Sequence, residues 1–323
     1  MHIGKIGLID VDGHNFPNLA LMRISAYHKS IGDTVEWWWS DFEHYDIVYK
    51  SKIFSDAYSK DIPDPFNADK VFRGGTGYAI SLGDDGKEHF DVSKNNVLPD
   101  DIEKMFPDYS IYPQYDFAVS MTSRGCPRGC TFCHVKSKEG LISHKVADVS
   151  DFWNGQKVIQ CCDPNLTACK DKRDLFQQYL DVSNEGAKIE FNQGLDIRLL
   201  NDSDITDLQQ MNVQRLHFAW DKPEEDLRER FKAVAEAFGG KGDSHGHNGT
   251  VYILTNFGNH TVDEHIALAL YRIYYLRDNG FAPYIMIYDK PHADKRIRQL
   301  QRWCNNKYIF YSTKRFEDYD GKR

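Results

Sequence analysis

Three thiols fall within eight residues of this chain, in Arg124-Gly125-Cys126-Pro127-Arg128-Gly129-Cys130-Thr131-Phe132-Cys133. The spacing is C-x3-C-x2-C. Gly125, Pro127 and Gly129 let such a segment curl, so that the three sulfurs can turn toward one centre. Three thiolates suit a four-iron cluster and leave one iron without a protein ligand, open to a substrate or cofactor. Two plainer metal readings compete. Zinc with Cys3His ligation would draw on His134 or His144, but His134 adjoins Cys133 and would strain to reach the same ion. A cluster that only carries electrons takes four thiolates, and no fourth cysteine follows at matching spacing. A redox thiol site is the remaining alternative.

Composition narrows the setting. Seven cysteines, an odd number, spread over 323 residues do not read as a disulfide framework. The chain enters a strand-like run at residues 5–10 with no apolar leader before it, and no run approaches the length of a membrane span. A soluble, cytoplasmic protein is expected. The net charge of −8 argues against a generic nucleic-acid coat, yet between Lys290 and Arg315 eight Lys/Arg stand against one Asp.

The elements that must position the cysteines follow two patterns. In residues 1–112, strand-like runs at 6–10, 34–38, 45–49 and 70–72, with a helical pattern at 17–30, predict a doubly wound, Rossmann-like α/β domain. In residues 113–290, candidate strands at 117–121, 158–162, 189–192, 215–219, 251–256 and 284–288 alternate with helical patterns at 175–182, 205–211, 226–238 and 262–277. The last helix has Thr261 as its N-cap, Glu264 three residues on, and Gly280 as its stop. Six βα repeats predict a partial TIM-type barrel, two short of closure. Residues 291–323 form a basic helix and tail. The glycine-rich stretch 239–249 reads as a mobile loop.

Cys126-Pro127-Arg128-Gly129-Cys130-Thr131-Phe132-Cys133 resembles the signature of the radical S-adenosylmethionine superfamily, C-x3-C-x-aromatic-C, with Phe132 in the aromatic slot. Its place after the first barrel strand fits, and the resemblance covers roughly residues 115–290. It implies a [4Fe–4S] cluster on Cys126, Cys130 and Cys133, S-adenosylmethionine on the open iron, and a 5′-deoxyadenosyl radical that takes hydrogen from a substrate. It also assigns the polar residues at the carboxyl ends of the strands, where ligands of such sheets bind. Asp163 and Asn165 would meet the amino group of the cofactor, unless they form an Asx turn capping the next helix. Gln193 or Asp196 would take ribose hydroxyls. Arg198 would fork onto the carboxylate, or else sit in a structural salt bridge. Asn256 and Tyr288 end the fifth and sixth strands at the same rim. Cys161, Cys169, Cys304 or Tyr288 could quench or relay a radical, with packing as the simpler use.

The N-terminal domain resembles those of cobalamin-dependent members. Asp12-Gly13-His14-Asn15-Phe16-Pro17 is similar to D-x-H-x-x-G, with Pro17 in place of the glycine; Ser51 and Gly74-Gly75 follow the third and fourth strands. The other reading is a Rossmann-like domain that shapes the cleft without cobalamin. The domain has no second three-cysteine set, which a methylthiotransferase would need. Alternation through Trp37-Trp38-Trp39 exposes at least one ring.

Three functions remain: a radical enzyme acting on an unidentified substrate, a cobalamin-dependent radical methyltransferase, and a non-catalytic iron–sulfur or zinc protein. The first two imply a flavodoxin- or ferredoxin-like reductant. The basic helix, with Lys295, Arg296, Arg298 and Arg302, could dock it, could bind nucleic acid through the interleaved Trp303, Tyr308, Phe310 and Tyr311, or could simply be a solvated face.

Overall fold

A computed structural model describes residues 3–84, 87–242 and 245–321. The chain divides into two compact units. The first takes Met1–Ser120 together with Gly125–Ile142 and Ala147–Gln156; the second takes Met121–Arg124, Ser143–Val146 and Lys157–Arg323.

The first unit is built on a parallel sheet of β1 (Lys5–Asp10), β2 (Thr34–Trp37), β3 (Tyr45–Ser51) and β4 (Ala68–Gly74), in the order β2-β1-β3-β4. Ile6 and Leu8 are buried against Leu21 and Ile24 of α1 (Leu19–Ser30). Asn18 caps that helix, its side chain accepting the Leu21 N–H at 3.3 Å. The helix starts two residues later than its apolar pattern, because Pro17 and Asn18 form its entry. Only β1 and β2 are joined by a helix of several turns; loops make the next two crossovers.

The β3–β4 loop is held by charge in place of helix packing. Lys50, wholly buried at its side chain, reaches Asp61 at 2.8 Å and Asp64 at 3.1 Å. Arg73 pairs with Asp64 from β4. Of the three tryptophans, Trp37 and Trp38 pack against the sheet, and Trp39 is the exposed one. The unit continues through α2 (Thr76–Ala79), the hairpin β5 (Ile80–Leu82) and β6 (Glu88–Phe90), α3 (Asp100–Glu103), β7 (Phe117–Ser120) and α4 (Val135–Glu139).

The second unit repeats strand and helix. After β8 (Ser123–Arg124) and β9 (His144–Lys145) come β10 (Val158–Cys161), α5 (Lys172–Asn184), β11 (Lys188–Phe191) and α6 (Asp202–Gln210). These are followed by β12 (Val213–Arg215), β13 (His217–Ala219), α7 (Arg228–Phe238), β14 (Thr250–Thr255), α8 (Val262–Asp278) and β15 (Ala282–Ile287). Then α9 (Lys295–Asn305) and α10 (Lys307–Ser312) close the chain. β11 pairs in parallel with β10 and β12, and β14 with β13 and β15. The expected fourth strand is therefore two strands, broken at Leu216. There the backbone N–H is given to Gly242 and the carbonyl accepts from Thr250, which turns the chain from one strand set to the other. Thr261 and Glu264 form the expected capping box on α8. Asp243 and Ser244, within the stretch read as a mobile loop, and Lys322 and Arg323 of the basic tail, lie outside the described residues. No helix among the described residues is long and apolar enough to cross a membrane.

Removing a buried cation leaves its carboxylates unmatched. Because Asp61 and Asp64 are about one-third exposed, Lys50→Ala should cost about 2 kcal/mol, read by urea unfolding. Lys50→Met, which keeps the buried stem, should cost less than the alanine.

Candidate functional site

The cysteine segment is a glycine-hinged loop. Gly125 (φ 86°) and Gly129 (φ 55°) lie in the left-handed region that favours glycine. At Gly125 a Cβ would overlap the Ile142 carbonyl oxygen, so no side chain fits where the loop opens. The Cys126 N–H donates to the Gly140 carbonyl at 3.2 Å, and the Cys133 N–H to that of Cys130 at 3.1 Å. Glu139 accepts the Gly125 N–H at 3.2 Å. Cys126, Cys130, Cys133 and Phe132 are all half-buried. Among the described residues no three His, Cys, Asp or Glu side chains gather round one point as a single metal ion requires. The thiolates of a four-iron cluster each bind a separate iron and need not meet at a point.

Both stems of this loop belong to the second unit and are fastened to the turn after β10. On the outgoing stem, Asp163 Oδ1 accepts from the Thr122 hydroxyl at 2.8 Å, the Ser123 hydroxyl at 2.7 Å and the Ser123 N–H at 2.5 Å. On the returning stem, the Ser143 hydroxyl donates to the Asn165 carbonyl at 3.0 Å. β8 and β9 pair antiparallel between them, Ser123 opposite Lys145 and Arg124 opposite His144. Asp163 is buried, and its Oδ2 has no hydrogen-bond partner. Burial pushes this carboxyl up to about 6, against the pull of the Ser123 and Thr122 donors.

The neighbouring polar residues form a network of their own. Asn165 caps the short helical turn Leu166–Ala168, accepting the Ala168 N–H at 3.2 Å and the Thr167 hydroxyl at 2.9 Å. The Asn165 amide lies 3.5 Å from Asp196, whose other oxygen takes Arg198 Nε at 2.6 Å. Arg198 Nη1 reaches Glu225 at 2.5 Å. Gln193 is exposed. At the far strands, Asn256 adopts a left-handed backbone (φ 62°) and its amide donates to the Tyr288 carbonyl at 2.8 Å. Asn165, Asp196 and Arg198 thus form one cluster, Asn256 and Tyr288 another, while Asp163 is bound to Thr122 and Ser123.

With 10% identity and a TM-score of 0.62, over 87% of this chain and 72% of the other, the structure matches the radical S-adenosylmethionine methyltransferase TsrM from Kitasatospora setae, solved with its tryptophan substrate and the analogue aza-SAM. In fold, this chain is similar to radical S-adenosylmethionine enzymes. The apo, selenomethionine-labelled cobalamin-dependent S-adenosylmethionine radical enzyme OxsB matches over 96% of this chain, with a TM-score of 0.51 and 12% identity. This chain covers 56% of OxsB. No family model and no curated protein matches the sequence.

The first unit has a cavity of about 380 Å³ at the carboxyl end of its sheet. Ser51, Gly74 and Gly75 line it, with Tyr49, Phe72 and the start of α1. Gly75 (φ 97°) leaves no room for a side chain against the Lys52 backbone. His14 is exposed, its ring tilted over Trp37 at 4.2 Å. Asp12 accepts backbone N–H groups of Ile53 and Phe54, which ties the β1 turn to the end of β3.

The other cysteines differ from the loop. Cys161, Cys169 and Cys304 are buried. Burial raises all three thiols, Cys304 to about 12, and it pushes half-buried Cys162 to about 12 as well. Thr122, Ser123 and Ser143 went unnoticed in the sequence. Their signal is slight: hydroxyl residues flanking the cysteine loop at both ends.

The Asp163 carboxyl also makes stability depend on pH. Its folded pKa lies above the ordinary 3.8. The stability this group contributes is therefore full below that value and lost as pH rises through about 6. Asp163→Asn removes the titration, so its stability relative to the parent should rise by about 2–3 kcal/mol between pH 4 and 7. Urea unfolding at a series of pH values checks this, and a difference independent of pH would contradict it.

Proposed function

We propose that this protein is a radical S-adenosylmethionine enzyme whose [4Fe–4S] cluster is held by Cys126, Cys130 and Cys133. The observation that carries this reading is the C-x3-C-x-Phe-C loop, glycine-hinged and anchored at both stems, within a fold similar to such enzymes. The donor set fits: three half-buried sulfurs with Phe132 between the last two. Bound there, the cluster would supply one-electron chemistry, the reductive cleavage of S-adenosylmethionine to methionine and a 5′-deoxyadenosyl radical, with the electron drawn from an external reductant.

The protein's share is orientation. The partnerless Asp163 Oδ2 suits a cationic donor such as the cofactor's ammonium group, and pairing would offset the cost of its burial. Arg198 already holds Asp196 and Glu225, which favours a structural salt bridge over a fork on the cofactor carboxylate. Gln193, exposed after β11, is then the better ribose ligand of the pair Gln193 and Asp196, with Asn256 and Tyr288 completing the rim. An acidic flavodoxin- or ferredoxin-like reductant suits the exposed Lys295, Arg296, Arg298 and Arg302 of α9. Nucleic acid suits this tail less, because Trp303 and Phe310 are buried and unable to stack on bases. Such chemistry belongs in a reducing compartment, in keeping with a cytoplasmic protein.

A cobalamin-dependent methyl transfer is the second reading, and the first-unit cavity favours it. Ser51, Gly74, Gly75, Tyr49 and Phe72 would hold the nucleotide end of a cobalamin, which serves as a methyl carrier when bound.

After anaerobic reconstitution with iron and sulfide, the protein should show a [4Fe–4S] absorbance and form 5′-deoxyadenosine when reduced. A colourless zinc protein would sink the proposal. Cys130→Ala should lose cluster and cleavage together, by more than about a hundredfold. Gly125→Ala should lose bound iron while far-UV circular dichroism stays as in the parent. Loading with cobalamin should give corrin absorbance and S-adenosylhomocysteine among the products; absence of both removes the second reading.

A further inference from the structure

The strands of the second unit have two unlike faces. On the outer face, Phe191 packs its ring near Phe176 and Tyr179 of α5, and Phe218 near Phe231 of α7. Val251, Ile253 and Ile285 are likewise buried. Alternation turns the intervening residues to the other face. In a barrel interior that face is normally filled by branched aliphatic side chains. Here it carries charge, amides and aromatic rings.

Strand register sets these groups in two rows. Gln160, Glu190 and Arg215 lie side by side on β10, β11 and β12. Glu190 Oε2 accepts from the Gln160 amide at 3.0 Å, and Asn192 donates to Gln160 in turn. Glu190 is therefore oriented and nearly buried. Arg215 is not: its side chain is 40% exposed, and Nη1 stands 3.6 Å from Glu190, beyond good hydrogen-bond reach.

The second row is aromatic. The His217 ring stacks on Tyr252 at 5.6 Å, and Tyr252 meets Tyr284 edge-on at 5.7 Å. Tyr284 is 40% exposed and Met286, two residues on, is 48% exposed. The rows meet at Leu216, the break between β12 and β13, which sets Arg215 and His217 two residues apart.

We infer that this face is the substrate-binding wall and that its ligand is a compact planar aromatic ring bearing a carboxylate. Arg215 presents the planar fork of donors that matches a carboxylate. Glu190, 3.6 Å away, leaves that fork unsaturated. Tyr252, Tyr284 and Met286 offer faces and a polarizable sulfur to a flat ring. The ligand's role as substrate rests on the radical-enzyme reading; its binding does not.

Calorimetry on the full-length reconstituted protein tests this with phenylpropionate, its uncharged amide, and butyrate. Phenylpropionate should bind at least about tenfold more tightly than either comparison compound. Arg215→Gln should weaken phenylpropionate by about tenfold or more while leaving the amide unchanged, with Arg215→Lys between. Tyr284→Leu, at an exposed position, should weaken both aromatic probes and not butyrate. Equal binding of acid and amide, or an Arg215→Gln protein that binds phenylpropionate as the parent does, overturns the inference. The same preparations are assayed for 5′-deoxyadenosine. Cleavage without selective probe binding discards the wall and keeps the radical reading; Arg215-dependent binding in a protein that never cleaves the cofactor does the reverse.

Discussion

A carboxylate taken out of water must be paired, hydrogen-bonded or protonated, and Asp163 shows how much can hang on that demand. One of its oxygens collects three donors, all from Thr122 and Ser123. Those residues form the stem from which the cysteine loop leaves. The stem cannot shift without stripping donors from a buried charge. Because Ser143, on the returning stem, is tied to Asn165, the four-residue turn Cys162-Asp163-Pro164-Asn165 governs both ends of the loop. Pro164 stiffens the piece between the two anchors.

The same economy runs through the strands. One residue serves the helices, the next serves the opposite face. On β10, Ile159 and Cys161 are buried, whereas Val158 and Gln160 are only partly so. On β11, Phe191 lies among aromatic rings while Glu190 is aligned by an amide. A rigid apolar layer thus holds polar groups that would otherwise drift, and rigidity of this kind is what a binding face requires. Arg272 on α8 plays a related part at the strand ends. It is buried and gives hydrogen bonds to the carbonyls of Trp220, Asp221 and Leu254.

In the first unit the sheet is similar in kind but differently supported. Where a crossover helix would bury apolar area, the β3–β4 loop relies on Lys50 and its two aspartates. Apolar alternation along the strands announces the sheet. The loop's ion pairs leave no periodic trace, because Lys50 and Asp64 are ordinary surface residues in composition and become a pair only when the chain folds.

Residue types and spacing alone determined a good deal: an α/β chain, a parallel N-terminal sheet, a series of βα repeats and a three-cysteine loop hinged by glycines. These are local properties, written in periods of two and 3.6 residues and in the φ that only glycine accepts readily. Tertiary structure decided the rest. It split the fourth barrel strand at Leu216, turned Asp163 to the loop stem, and engaged Arg198 with Asp196 and Glu225. It also set Arg215 beside Glu190 and Tyr252 beside Tyr284. Each of these depends on a partner from a distant part of the chain, and no local pattern encodes which partner burial and register will bring.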